Sequence, residues 1–458
     1  MEDHTTVRLA LPVLAKQYAS IVYSRSTLLH LACQSGHTRS VTVALTNKTC
    51  DVNAKDSNGI SALHVAVLNN HLDVCECLLN FNKTDVNIRD TVMGSTPLHF
   101  AIGENNTAII KLLLTHCTID VNAGNNNGVT PLQLATSEGK AAICELLLGC
   151  ASIDVNARDV NGHTALYYAA DGNQTEAFEL MLRHPSVDVT IQTNKGWTAA
   201  HLAVFTGNVA MSQQLLNCVD VDFVSGHDAG LRPLHWVLRQ NNAVLCKLLV
   251  ESGKCDVNAR DDNGDTPLHC GLRHKSSEAA DWLIQNRTTN LFAINNEQNT
   301  PLHMAVLKGL TGMCKMLLLS SARLDVNAQN VLGSTALHLA IKMHNFELCE
   351  LLLGNEDVNP NVMDCNDNTV LHIAVNYSNA KILLLLLRRC TVDSKILNGK
   401  GMTPAELAKL RGHVECLEVL QNKLVRPKTA LHGRRLIFVI RKLHHLQKPG
   451  YDNVIMYM

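Results

Sequence analysis

Residues Cys255 to Cys270 read CDVNARDDNGDTPLHC, and the fold follows from this stretch. Asp262-Asn263-Gly264 is a turn signal, and Thr266-Pro267 is a helix start directly behind it. Proline fixes φ near the helical value and needs no N–H partner at the first helical position, so Pro267 opens a helix. Gly264 supplies the positive φ that a tight hairpin tip requires.

The stretch recurs along the chain. Anchored on the equivalent of Thr266, the copies fall at Thr27, Ser61, Thr96, Thr130, Thr164, Thr198, Arg232, Thr266, Thr300, Thr335, Thr369 and Thr403. The steps are 34 residues except two of 35, and a fixed period marks a repeat architecture. Two residues after the anchor stands Leu in ten copies, and three after it stands His in nine. Each period continues through a Leu-rich run, such as Leu351-Leu352-Leu353, and closes on Asp-Val-Asn or a close relative. The pattern predicts turn, short helix, tight link, second short helix and loop. Such a pair cannot hide its apolar face alone, whereas stacked neighbours bury it for one another.

The motif Asp-x-x-Gly-x-Thr-Pro-Leu-His-x-Ala at this period resembles the ankyrin repeat family over roughly residues 20 to 425. The resemblance implies an all-α, curved solenoid, with a β-hairpin loop in each repeat. Hairpin tips and first helices would line its concave groove. The expected organisation is a helical N-terminal cap over 1–25, twelve repeats over 26–424 and a basic tail over 425–458. One longer step widens the tip around Arg89 to Met93, and the other lengthens the loop near Ser320 to Arg323. Repeat seven departs most, with Arg232 for Thr and Val237 for Ala. Repeats nine and eleven place Gln298 and Asp367 where Gly is usual. Asp tolerates the left-handed conformation better than Gln, so the tip of repeat nine is expected to be remodelled.

Composition narrows the function. With 458 residues and a net charge of −1, the chain has no global electrostatic case for nucleic acid or membrane. Five of its 16 cysteines, Cys75, Cys144, Cys246, Cys314 and Cys349, share one register in the second helix, where Cys acts as a small apolar residue. Many free thiols, an acidic Met1-Glu2-Asp3 start and no run of eighteen apolar residues point to a cytoplasmic or nuclear chain without a transmembrane segment. The tail carries seven Lys or Arg against Asp452, which makes it +6 and the rest −7. Leu436, Ile437, Val439, Ile440, Leu443 and Leu446 can share a helical face there, as a cap on repeat twelve or a docking helix.

No phosphate loop, zinc-protease or nucleophile-elbow motif occurs. One His per repeat, about 8–10 Å from the next along the stack, cannot share a metal. The chain therefore reads as a non-catalytic scaffold or adaptor, monomeric, with a protein partner and no cofactor, metal or small-molecule substrate. Partner contacts are expected at non-repeating positions of tips and first helices: His163, Trp197, Phe205, Arg239, Asp262, Asp265, Arg273 and His274. Trp236 fits either that set or a place wedged between repeats. The family resemblance further implies asparagine hydroxylation where Leu stands eight residues before Asn, at Asn53, Asn87, Asn122, Asn156 and Asn327. An alternative function is substrate recognition for a cullin-type ubiquitin ligase through a degenerate SOCS-box-like tail, although the tail lacks the expected Leu-Pro-x-Pro run. Membrane-surface anchoring by the same tail is a weaker alternative.

Overall fold

The computed structural model describes residues 27–47, 50–218, 230–320, 324–389 and 392–421. Among them are twenty-four helices in twelve pairs. The chain divides into two compact units, Met1–Asp256 with the helices of repeats one to seven and Val257–Met458 with those of repeats eight to twelve. The expected N-terminal cap, the basic tail and the lengthened loop at 321–323 lie outside the described residues.

Repeat ten shows how the sequence builds one layer. Its first helix spans Ala336–Lys342 and its second Phe346–Leu353. Thr335 caps the first helix, and Asn345 Oδ1 accepts from Leu348 N at 3.0 Å to cap the second. Between them His344 takes φ 56°, the left-handed turn that reverses the chain. Helices this short are marginal alone, so their stability comes from packing against neighbours. Ala340 on the first helix and Cys349 on the second have no exposed surface. All five cysteines of that second-helix register are buried, and burial pushes each thiol up to about 12. They are inert core atoms, since the reactive species is the thiolate.

The tips are tight turns rather than hairpins with strands. In repeat two, Asp56 N donates to Ile60 O at 2.9 Å, and Asp56 Oδ1 accepts from Asn58 N and Ile60 N. One antiparallel bridge, Lys55 to Ser61, is the remnant of hairpin pairing. Among the described residues successive tips bond one another, as Thr91 N does to Asn58 O at 3.2 Å. Gly59 holds φ 74°, and a Cβ there would lie 2.3 Å from Thr91 N, so only glycine lets that neighbour approach. The added residue of repeat three sits in its tip, where Asp90 N reaches one residue further, to Ser95 O at 3.0 Å. Repeat nine corrects the expectation of a remodelled tip. Gln298 takes φ 57°, and Gln298 N still donates to Asn295 O at 2.9 Å. Asn295 Oδ1 fixes the turn by accepting from Glu297 N and Asn299 N, which offsets the cost of a non-glycine residue.

The repeated histidine has two tasks. In repeat ten His338 Nδ1 accepts from Thr335 N at 3.3 Å, and the imidazole Nε2 lies 3.3 Å from Asn368 O of the next repeat. A carbonyl only accepts, so the proton sits on Nε2 and the ring is neutral. The same pair of bonds recurs at His30, His64, His99, His269, His303 and His372. Desolvation lowers the imidazole pKa to about 3 at His64 and about 4 at His99, His303 and His338. Each ring closes its own helix start and struts the next layer.

Candidate partner-binding site

The largest departure from the repeating frame lies on the first helices of repeats six and seven, Ala199–Phe205 and Pro233–Arg239. Trp197, at the tip before the first of these helices, meets Phe205 edge-on at 5.6 Å between ring centroids. Phe205 meets Trp236 of the next repeat edge-on at 5.0 Å, and the two indoles lie 6.5 Å apart. Arg239 Cζ stands 5.4 Å over the Trp236 ring, within cation–π range. The three rings are half-buried and Arg239 is exposed. Gln240 Nε2 donates to Phe205 O and ties the two layers together under the cluster. The Trp236 N–H is buried and has no acceptor among the described residues. Trp236 thus packs between two repeats as part of the cluster.

His163 lies apart from those rings in a different arrangement. It stacks on Tyr167 at 4.4 Å with the planes 5° from parallel, and meets Tyr168 edge-on at 5.5 Å. Its Nδ1 lies 3.2 Å from Asp159 Oδ2, the oxygen that also accepts from Tyr168 Oη at 2.7 Å. Burial raises the Asp159 carboxyl pKa, but the hydrogen bonds from His163 and Tyr168 outweigh it and hold the group below its usual range. Asp159 and Tyr168 carried no signal in the sequence beyond their repeat positions.

In the second unit, Asp262 and His274 are exposed. Asp265 is not. It is 2% exposed, and Arg273 bonds its carboxylate through Nε at 2.9 Å and Nη2 at 2.5 Å. Asn295 Nδ2 of the next tip adds a third bond at 2.8 Å. Asp265 is corrected from contact residue to tip strut, because a buried carboxylate needs these partners. Arg273 is half-buried and engaged with it.

The five asparagines singled out for hydroxylation form rungs between successive loops. Asn327 Nδ2 donates to Asp357 O at 2.7 Å, and its Oδ1 accepts from Asn359 N at 2.7 Å. Asn53, Asn87, Asn122 and Asn156 repeat both bonds at 2.7–2.9 Å. All five are half-buried. Among the described residues no group of three His, Cys, Asp or Glu is placed to hold a metal ion, and no helix is long and apolar enough to cross a membrane.

Comparison with known proteins agrees with this frame. A family model described as ankyrin repeats (3 copies) matches residues 4–90, 81–159, 148–225, 213–293 and 319–396, and one described as ankyrin repeats (many copies) matches 283–340. An ankyrin repeat protein of fowlpox virus is 38% identical over 95 residues, covering 20% of this chain and 27% of its own length. The mouse nuclear factor NF-kappa-B p105 subunit is 31% identical over 91 residues, covering 19% of this chain and 9% of its own length. A rice (Oryza sativa subsp. japonica) protein named as an E3 ubiquitin-protein ligase is 37% identical over 86 residues, covering 19% of this chain and 16% of its own length. Each match therefore spans under a third of the relative concerned.

Proposed function

The chain belongs to the ankyrin repeat family, and from that premise we propose that it is a non-catalytic scaffold that binds a partner protein through tips and first helices. The observation that carries this reading is the convergence of Trp197, Phe205 and Trp236 beneath an exposed Arg239. Trp and Arg are enriched where binding energy concentrates. The rings already hold one another in place, so a partner covering them has little side-chain entropy left to freeze. The proposed contact set is Trp197, Phe205, Trp236 and Arg239, with His163, Asp262, Arg273 and His274 as further candidates.

Two variants test it. Proteins crosslinked to the full chain in cells and identified by mass spectrometry should fall about tenfold with Arg239→Glu, and again with Trp197→Ala combined with Phe205→Ala. Arg239→Glu changes only an exposed side chain, so its melting temperature should match the parent. Unchanged capture by both variants would sink this site. The ubiquitin-ligase alternative stays a proposal on residues 425–458 alone, and co-purification of elongin and cullin with the full chain would favour it.

Hydroxylation of Asn53, Asn87, Asn122, Asn156 and Asn327 likewise stays a proposal from the family. The loop must give up both rung bonds before an enzyme can reach the asparagine Cβ. A one-oxygen mass gain in the matching peptides after co-expression with an asparaginyl hydroxylase is the expected result, and its absence at all five residues would dispose of the idea.

A further inference from the structure

The second unit carries an asymmetry that the repeat frame does not require. The seventh to ninth residues after each anchor, at the end of the first helix, include Arg273 and Lys275 in repeat eight, Lys308 in nine, Lys342 in ten and Arg411 in twelve, with no cation in eleven and no carboxylate in any of the five. In the first unit the same positions hold Glu104, Glu138 and Asp171 against Arg239 alone. A cation at a helix C-terminus is favoured by the helix partial charge. First-unit helices nevertheless end on carboxylates, so helix-end electrostatics does not explain the row.

Lys275 and Arg411 are exposed, and Arg273, Lys308 and Lys342 are half-buried. Arg273 is engaged with Asp265, but Lys275, Lys308, Lys342 and Arg411 have no carboxylate within ion-pair distance among the described residues. Lys342 Nζ donates to Ser334 Oγ at 2.8 Å, so its side chain lies back along the helix toward the tip. At the tips, the residue before the turn-opening Asp or Asn is Ile294 in repeat nine, Met363 in eleven and Leu397 in twelve, exposed by 45%, 45% and 53%. Val331 and Leu332 add an exposed apolar pair at the tip of repeat ten. The corresponding residue is Arg260 in repeat eight and Gln329 in ten, and Lys55, Arg89 and Arg158 in the first unit, whose exposed apolar tip residues are Val92 and Val160. The second unit thus presents exposed apolar tips together with four helix-end cations, Lys275, Lys308, Lys342 and Arg411, that have no carboxylate partner among the described residues. The acidic tip residues Asp262, Glu297 and Asp367, also exposed, oppose any occupant that carries its carboxylates over the tips.

We propose that repeats nine to twelve form a second docking surface, whose occupant is an extended acidic segment of a partner protein. Its carboxylates face Lys308, Lys342 and Arg411, and its apolar side chains rest on Ile294, Val331, Met363 and Leu397. Adjacent layers lie about 8–10 Å apart and an extended chain rises about 3.3 Å per residue, so every third residue of the segment meets a new repeat. Unpaired cations select such a segment through encounter rate and through the cost of wrong partners. The chain's own 425–458 tail has the opposite sign to the one this surface attracts. The inference rests on the scaffold reading above but not on the aromatic cluster.

The test uses the full chain and a labelled peptide of about fifteen residues with Glu at every third position and Leu beside each Glu. Fluorescence anisotropy should show micromolar binding that weakens as salt rises, with an all-Gln version about tenfold weaker. Lys308→Glu with Arg411→Glu should cost about tenfold, and Met363→Ser with Leu397→Ser several-fold, at unchanged circular-dichroism melting. The Trp197→Ala, Phe205→Ala variant should bind the peptide as the parent does. Equal binding of the Gln peptide, indifference to charge reversal, or tighter binding of a DNA duplex would each overturn the proposal. Loss of peptide binding only in the Trp197, Phe205 variant would overturn it too, while leaving the aromatic site standing.

Discussion

Repeats eight to eleven and repeats four and five share one frame and brace it differently. In the former, His269, His303, His338 and His372 form an unbroken run, each Nε2 within 2.9–3.3 Å of the next tip's carbonyl. In repeat four Gln133 does the same work without a titrating group. Its Oε1 accepts from Thr130 N at 2.8 Å, and its Nε2 donates to His163 O at 2.9 Å. Repeat five has Tyr167, and a phenol has no acceptor nitrogen to return to Thr164 N. There the helix keeps only the bond from Tyr167 N to Thr164 Oγ1 at 3.2 Å, and His163 stacks on the tyrosine instead. A strut therefore needs an acceptor and a donor on one side chain. Glu406 in repeat twelve, an acceptor alone, takes bonds from Thr403 N and Thr403 Oγ1, both at 2.8 Å, and as a carboxylate has no proton to give a strut.

The largest expected contrast between these regions is with pH. The four histidines of repeats eight to eleven have lowered pKa values in the fold, about 4 at His303 and His338, because burial disfavours the charged ring. The unfolded chain takes up protons below about 6.5 while the folded rings do not. Stability present above 6.5 is therefore lost as pH falls from there toward about 4. For His303 and His338 the loss is on the order of 2 kcal/mol each at pH 5. Hydrogen exchange corrected for intrinsic rate should show repeats eight to eleven losing protection between pH 7 and 5 while repeats four and five hold theirs. His338→Gln should leave repeat ten intact at pH 7 and remove its acid response. A parallel loss in all repeats would mean that the struts do not set the contrast.

What the sequence disclosed divides along the same line. The period, the helix starts and the cysteine register were legible because each repeats, and a residue type repeated in register reports a local geometric need. Trp197, Phe205 and Arg239 were legible as departures, since a large aromatic or a cation outside the register has no layer-building task. The tip of repeat nine was misread because glycine preference was weighed alone, without the Asn295 side chain that fixes the turn. Asp265 was misread because its partner Arg273 sits eight residues on, across a helix, where sequence spacing gives no contact rule. The boundary after Asp256 left no trace, because the 34-residue step runs through it unchanged.

The smallest effect asks whether repeat five can be converted. Tyr167→His would place an imidazole thirty residues before Trp197 O, the spacing at which His99 reaches Val129 O and Gln133 reaches His163 O. It gains a cap and a strut, each worth about 1 kcal/mol, and forfeits the stacking of His163 and the packing of a larger ring, worth a similar amount. The net change at pH 7 is therefore expected within about 0.5 kcal/mol by chemical denaturation. At pH 5 the variant should acquire a local loss of protection in repeats five and six that the parent lacks. If it remains acid-insensitive, the imidazole has not formed the strut, and the Tyr167, His163 and Asp159 group is holding that layer in a geometry of its own.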